Sequence, residues 1–322
     1  TYRVVMPVSS LEELRDKDLE GDKVAVGFRP SGSLHVGNLV TITYAAVLAD
    51  ELDLELDLFC CDTDWSAHIH EHHLPDENRS MKLFFQRECP CDSHSDIAEH
   101  RVDEMSEFLD ALKNSTVDFE IGFLSDLEDE SYDKALRNIL NNINEFDDIF
   151  GGGFLRRYRS PVAAVCSECG FSDAKGSSYS SEMDLLVSAC RNPECDAGFM
   201  ETEIADAEKG VYYLVDPVRD PGRDVAVHMF GGDYRDAEKE MKTPKIEKVE
   251  KITDLACGET PEYFLAPMIS DENGQPLSKS HGTGITVGDI DDLEEFTRNL
   301  VGNVRELIEE RNEYVVQDEL LG

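Results

Sequence analysis

The sequence predicts an α/β protein built on a doubly wound parallel sheet, with a small metal-stapled insert between the two halves of that sheet. Three observations carry this. Short β-branched runs, among them residues 24–26 and 225–229, alternate with stretches whose apolar residues recur at helical spacing, the pattern of buried parallel strands and their crossover helices. Glycine-rich turns follow two of those strands, and open α/β sheets bind ligands at such places. Four cysteines in two close pairs, Cys166/Cys169 and Cys190/Cys195, interrupt the alternation.

The chain has 322 residues, 40% of them hydrophobic, enough for one large α/β domain and an insert. No apolar run approaches the ~20 residues of a membrane span. The first ten residues have no signal-peptide profile, so the expectation is a soluble cytoplasmic protein. Lys and Arg number 30 against 69 Asp and Glu, a formal net charge of -39 spread along the whole chain. A nucleic-acid surface is ordinarily basic. At about 1 M salt, however, the Debye length is roughly 3 Å and self-repulsion is largely screened. The charge therefore predicts an extreme halophile's cytoplasm and speaks about habitat before it speaks about partners.

Taken in order, residues 10–16 (SLEELRD) predict a Ser-capped helix. Residues 24–26 are the first strand, 27–32 a turn, and Leu39, Ile42, Ala45, Ala46 and Ala49 mark a helix from Gly37 on. A helix N-terminus at such a turn binds phosphate, because free N–H groups and the positive helix end point into it. There is no G-x-G-x-x-G and no P-loop lysine. The turn carries His35-Val36-Gly37-Asn38 instead. His35 can donate to phosphate oxygens, and Gly37 lets a flat base approach the backbone.

Residues 54–61 are the second strand, and a loop after them holds Asp62, Asp64 and the only tryptophan, Trp65. Residues 79–148 read as helical with acidic faces, as in 96–114 and 132–146; Cys89, Cys91 and His94 come before those two stretches, the cysteines read as reduced and a second metal site staying open. Residues 151–153 are a glycine break. Arg156, Arg157 and Arg159 follow as the densest basic run, suited either to phosphates or to neighbouring acids. Cys166-x2-Cys169 and Cys190-x4-Cys195 are the ligand set of a tetrahedral structural zinc, with Gly170 and Gly198 placed for the tight turns. Disulfides do not suit a cytosolic chain. Residues 211–215 and 225–229 are two further strands, with Arg219 and Arg223 in the loop between them. Gly231, Gly232 and Asp233 follow, where the backbone can approach a ribose or adenine and the carboxylate can accept from ribose hydroxyls. Residues 263–268 are a last strand, 274–284 (GQPLSKSHGTG) a polar loop, and 288–314 a helical tail. The expected division is 1–148 and 210–289 for the two halves of the catalytic domain, 149–209 for the insert and 290–322 for the tail.

The pair PSGSLHVGN (30–38) and PLSKS (276–280) resembles the HIGH and KMSKS signatures of class I aminoacyl-tRNA synthetases. The longer GFRPSGSLHVGN (27–38) is most similar to the class I lysyl-tRNA synthetases. The resemblance implies a Rossmann-like ligase that joins an amino acid to ATP as an adenylate and transfers it to a tRNA acceptor end or a similar acceptor. It makes His35, Asn38 and Lys279 catalytic. Around ATP it places Pro30, Ser31, Gly32, His35, Gly37 and Asn38 from the first motif. Gly231, Gly232, Asp233, Ser278, Lys279 and Ser280 complete that set from the second half. Arg29, Asp62, Asp64 and His228 are candidate contacts for the amino acid, lysine or a relative. The implied cofactors are ATP, Mg2+ and a structural zinc on Cys166, Cys169, Cys190 and Cys195.

The sequence departs from the family pattern in three places. Pro276 and Leu277 stand for the first Lys and the Met of KMSKS, although Lys279 is kept. Leu39-Val40-Thr41 stand where the lysyl enzymes carry a polar or charged residue. Only residues 285–322 follow the loop, too few for the helical anticodon-binding domain of the family. Two other readings remain: a small-molecule ligase or nucleotidylyltransferase, and a weakly catalytic paralogue that binds nucleotide or tRNA.

Overall fold

The computed structural model describes residues 10–28, 34–61, 69–74, 79–85, 94–123, 126, 130–173, 175–207, 220–231, 246–258, 260–270, 286–309 and 314–316. Helix α1 (Leu11–Arg15) is capped by Ser10, whose Oγ accepts from the Glu13 N–H at 3.3 Å. Strand β1 (Lys23–Phe28) leads to α2 (Val36–Leu52). Helix α2 is apolar nearly all round and buries residues from Val36 to Ala49, as a helix enclosed on several sides must. It ends at Asp53, in the left-handed conformation (φ 55°) that Asp tolerates. Strand β2 (Glu55–Cys60) follows.

Strands β3 (Ile69–Leu74) and β4 (Arg79–Phe85) form an antiparallel hairpin. The sequence reading places a loop and then helix here. The alternation of Ser80, Met81, Lys82 and Leu83 is a strand period, but it is short and adjoins long acidic helical patterns. Helices α3 (His94–Glu104) and α4 (Ser106–Ser115) precede β5 (Ile121–Phe123), which pairs parallel with β2. The helical reading of residues 79–148 misses β5 as well, since three residues are too few to show a period.

Helices α5 (Glu130–Asn141) and α6 (Ile143–Ile149) open the way to the insert, with β6 (Phe171–Ser172), β7 (Ser178–Ser180), β8 (Leu185–Ala189) and β9 (Phe199–Glu203). Strand β6 pairs with β4, while β7, β8 and β9 form a separate antiparallel sheet. The sheet of the main fold resumes with β10 (Val225–Phe230), α7 (Ile246–Cys257) and β11 (Glu262–Leu265). The strand expected over residues 263–268 is two: β11, and β12 (Met268–Ser270). Helix α8 (Leu293–Leu307) follows, and β13 (Tyr314–Val316) pairs parallel with β12 where the sequence reading continues the helical tail to residue 314. The strand expected at residues 211–215 lies outside the described residues.

The five parallel strands run in the order β11, β10, β1, β2, β5. The chain starts in the middle, builds outward through β2 and β5, then returns to the other side of β1 with β10 and β11. The direction of winding changes between β1 and β10, and an open α/β sheet binds its ligand beyond the strand ends at that place.

Helices cover both faces. On one, Val24, Val26, Leu58 and Val227 share a core with Leu39 of α2, Phe108 of α4 and Leu300 of α8. On the other, Phe230, Tyr263 and Leu265 join Val249 and Ile252 of α7, Leu136 of α5, and Phe171, Leu186 and Met200 of the insert. Each such buried side chain stabilises by about 1.5–3 kcal/mol. The insert thus shares its core with the second half of the sheet. No helix among the described residues is long and apolar enough to cross a membrane.

Candidate active site

His35 caps α2. Its Nδ1 accepts from the Gly37 N–H at 3.1 Å, and the Asn38 Oδ1 accepts in return from the His35 N–H at 3.3 Å. This reciprocal pair satisfies two backbone donors at the helix start. It also fixes the imidazole: with Nδ1 accepting, the neutral ring carries its proton on Nε2. Gly37 is required for a reason that the sequence does not show. A Cβ there would lie 2.8 Å from His35 Cε1 and 2.9 Å from Nδ1.

Backbone pairing ties the first motif to the chain that follows the second. His35 bridges Thr286, and the Val287 N–H donates to the Leu34 carbonyl at 3.0 Å. Chain leaving β12 at Ser270 therefore returns, after the PLSKS segment, directly beside His35. Gly231 stands at the end of β10, next along the sheet from β1. Arg29, Pro30, Ser31, Gly32, Asp62, Asp64, Gly232, Asp233, Ser278, Lys279 and Ser280 lie outside the described residues, as do Cys89 and Cys91.

Parallel pairing puts Asp57 of β2, Ala25 of β1, His228 of β10 and Tyr263 of β11 in one row across the sheet. Their face is the one away from α2. Gly27 opposes Phe59 one row nearer the strand ends, and a Cβ on Gly27 would sit 2.5 Å from the Phe59 ring. His228 is buried, packs against Phe230 with ring centroids 4.6 Å apart and planes tilted by 41°, and holds Asp220 Oδ2 through Nδ1 at 2.7 Å. Arg223 spans from the turn before β10 to Asp57 and lies over the Phe59 ring at 4.7 Å. Arg223 precedes the first residue of β10, at the opposite end of the strand from Gly231. It sits in the loop before β10, as the sequence reading has it, and is committed to a structural pair with Asp57 of β2. Burial also pushes the Tyr263 hydroxyl's pKa well above the ordinary range.

The four cysteines converge. All four sulfurs lie within 4.8 Å of one another, with Cys166 Sγ to Cys195 Sγ at 3.8 Å and Cys169 Sγ to Cys190 Sγ at 3.7 Å. A disulfide needs about 2.05 Å, whereas four thiolates about 2.3 Å from one zinc lie roughly 3.8 Å apart. Gly170 (φ 72°) and Gly198 (φ 67°) supply the left-handed turns. The amides of Phe171, Asn192 and Ala197 donate to Cys169, Cys190 and Cys195, each two residues on from its sulfur. Burial raises the Cys169 pKa, but the side chain of Asn192 and the Phe171 amide outweigh it and leave the thiol acidified. At Cys190 burial wins and the pKa rises. The donor set fits a tetrahedral zinc.

The basic run divides. Arg159 is committed within the insert, donating to Asp173 at 2.6 Å, to the Gly176 carbonyl at 3.0 Å and to Ser188 at 3.2 Å. Arg156 and Arg157 are exposed.

Residues 7–298 match the model of a protein family described as tRNA synthetases class I (K). The chain belongs to this family. A comparison with curated proteins found no match. Among solved structures, the chain is similar to tyrosyl-tRNA synthetase from Archaeoglobus fulgidus (13% identity, TM-score 0.40, 89% of this chain and 68% of that one). Glutamate-tRNA synthetase from Elizabethkingia anophelis gives 13% identity and a TM-score of 0.44 over 94% of this chain and 69% of that one. Methionyl-tRNA synthetase from Mycobacterium tuberculosis gives 14% and 0.39 over 92% and 66%. The assignment rests on the family match.

The H-x-G-N motif thus follows β1, Gly231 follows β10, and the chain after the PLSKS segment returns beside His35. Sequence reasoning passed over Asp220. Its one signal was an acid opening the D-P-G turn immediately before β10.

Proposed function

We propose that the chain activates an amino acid with ATP and passes it to a tRNA acceptor end. The observation that carries this is the pairing of Leu34 and His35 with Thr286 and Val287. It sets the chain that follows the second motif beside the helix start that carries His35 and Asn38. In this reading a carboxylate oxygen of the amino acid attacks the ATP α-phosphorus. The bond from that phosphorus to the bridging oxygen breaks, and pyrophosphate leaves with the electron pair. Catalysis is then positioning and charge neutralisation. His35 Nε2–H and the Asn38 amide donate to phosphate oxygens at the helix N-terminus. Lys279, with Ser278 and Ser280, steadies the β- and γ-phosphates. Mg2+ arriving with ATP neutralises the pyrophosphate.

The substrate is lysine or a relative. The family description supports this. Arg29, Asp62, Asp64 and His228 are its proposed contacts, and Gly231, Gly232 and Asp233 those of the ribose and adenine. Zinc on the four cysteines holds the insert together, and Arg156 and Arg157 on its approach meet the acceptor end. The working medium is the salt-rich cytoplasm of a halophile. Pro276, in place of the first lysine of the second motif, favours one other reading: a paralogue that binds nucleotide or tRNA with little turnover.

The test is amino-acid-dependent ATP–pyrophosphate exchange in molar KCl across the standard amino acids, with and without tRNA. Exchange with one amino acid, lost in Lys279→Ala and in His35→Ala, supports activation. Exchange that survives Lys279→Ala sinks this assignment. No exchange under any condition leaves the binding paralogue.

A further inference from the structure

The carboxylate of Asp220 is the least explained group in the fold. It is fully buried in the short turn before β10, and its Oδ2 takes His228 Nδ1 at 2.7 Å. Its Oδ1 has no hydrogen bond among the described residues. The nearest cation, Arg223 Nη1, stands 3.8 Å away and is itself without one. A buried polar atom left unpaired costs about 1–3 kcal/mol. A carboxylate present only for stability would use both oxygens, as Asp173 does in the insert. Asp220 hydrogen-bonds through one oxygen alone, to a histidine in the row beneath the junction of β1 and β10, and its other oxygen stands only at ion-pair distance from Arg223.

That histidine has two distinct ring atoms. Nδ1 faces Asp220, and Nε2 is the ring's other polar atom. A carboxylate at Nδ1 selects the tautomer with the proton on that nitrogen and leaves Nε2 as an acceptor. The neighbours that fix the ring are Phe230 beside it, and Ala25 and Tyr263 in the same row of the sheet. Ala25 adds little bulk to the row, and Asp57 stands across it from His228.

We propose that Asp220 is a positioning residue for amino-acid recognition. It holds His228 with Nδ1 protonated, so that the site meets the amino acid with the bare Nε2 and disfavours a side chain ending in carboxylate. This inference rests on the proposed function, in which His228 contacts the amino acid.

The experiment has two independent readouts. In pyrophosphate exchange with the whole chain in molar KCl, lysine, glutamate and norleucine are the probes. Asp220→Ala raises the KM for lysine at least tenfold while the KM for ATP stays within twofold. Asp220→Asn, which keeps an acceptor, recovers most of the loss. A folded Asp220→Ala with unchanged KM values, or with both raised equally, overturns the proposal. So does wild-type protein that prefers glutamate. The second readout is the ring 15N spectrum of histidine-labelled protein, with His228 assigned by the signal lost in His228→Asn. The expected spectrum has Nδ1 protonated and Nε2 bare. The opposite tautomer in wild-type protein overturns the proposal whatever the activity, and covers the case of an Asp220→Ala that does not fold. Wild-type protein silent with every amino acid overturns the proposed function, and the recognition half of this inference with it. An active wild type with an indifferent Asp220→Ala overturns this inference alone.

Discussion

At the scale of single residues, Gly37 separates stability from activity. Replacing it with Ala pushes a Cβ to 2.8 Å from His35 Cε1, which drives the imidazole out of its cap. Loss of an N-cap costs about 1 kcal/mol, while Ala in place of Gly in a helix returns up to about 1 kcal/mol. The two nearly cancel, so Gly37→Ala is expected to melt within a few degrees of the parent. Pyrophosphate exchange should still fall at least tenfold, because the donor to phosphate has moved. A variant with full exchange would show that the cap does not aim His35. Legibility at this scale followed chemistry. The H-x-G-N run could be read because its residues act in sequence order on one helix turn. Asp220 could not, because its partner His228 meets it only once β10 is folded. Gly27 and Ala25 gave no signal either: their smallness has meaning only beside Phe59 and Arg223, which come from another strand and another turn.

At the scale of elements, the insert is held by two devices that respond differently to solution conditions. The first is the cysteine cluster. Chelation is expected to remove one zinc per chain and release the sheet of β7, β8 and β9, because metal binding supplies folding energy where the local core is small. Hydrogen exchange should then show amides of residues 185–203 losing protection while those of β1 and β2 keep theirs. Uniform loss would mean that the insert and the main sheet unfold as one. The second device is Asp173, nearly fully buried, which accepts from Arg159, Ser188 and the Lys175 N–H. Burial raises its pKa, but those donors outweigh burial and hold it below the ordinary carboxylate value. A depressed native pKa contributes stability that is fully present above the unfolded value, near 3.9. That stability is lost as pH falls through the native value. Between about pH 5 and 3, parent protein should therefore lose stability faster than Asp173→Asn. The variant should be weaker at pH 7 by about 1–3 kcal/mol, since it breaks a buried donor set. Parallel stability curves for the two proteins would remove Asp173 from the account. The elements themselves were legible where a local mark stood in the sequence. Helix α1 showed its Ser cap, α2 and α8 their helical spacing, and β1 and β10 their β-branched runs. Strand β5 has three residues and sits among helices, and β3 and β4 stabilise each other through a ladder that neither segment displays alone.

At the scale of the whole molecule, the governing quantity is 69 acids against 30 bases. Some of the bases that pair tie separate elements together. Arg15 bridges Glu51 and Glu309 at 2.8 and 2.9 Å, and Arg305 joins Asp50 of α2 to the Ser115 carbonyl that ends α4. These exposed pairs stitch α1, α2, α4 and α8 together, but each is worth at most about 1 kcal/mol, and salt weakens them. The unpaired acids act in the opposite sense. At about 0.1 M salt the Debye length is roughly 10 Å, so neighbouring carboxylates repel across the surface; at about 1 M it is roughly 3 Å and they do not. Salt thus weakens a few small attractions and removes many small repulsions, and the second effect wins by number. The melting temperature is expected to rise by on the order of 10 °C between about 0.1 and 2 M KCl, the shift that several kcal/mol produces in a chain of this size. Sucrose at matched osmotic strength separates screening from exclusion, because it is excluded from surfaces without screening charge. A melting temperature that rises with sucrose as steeply as with KCl would assign the effect to exclusion. One that stays flat in KCl would show that the folded chain already tolerates its charge, and the composition would then say nothing about the salt in which the protein works.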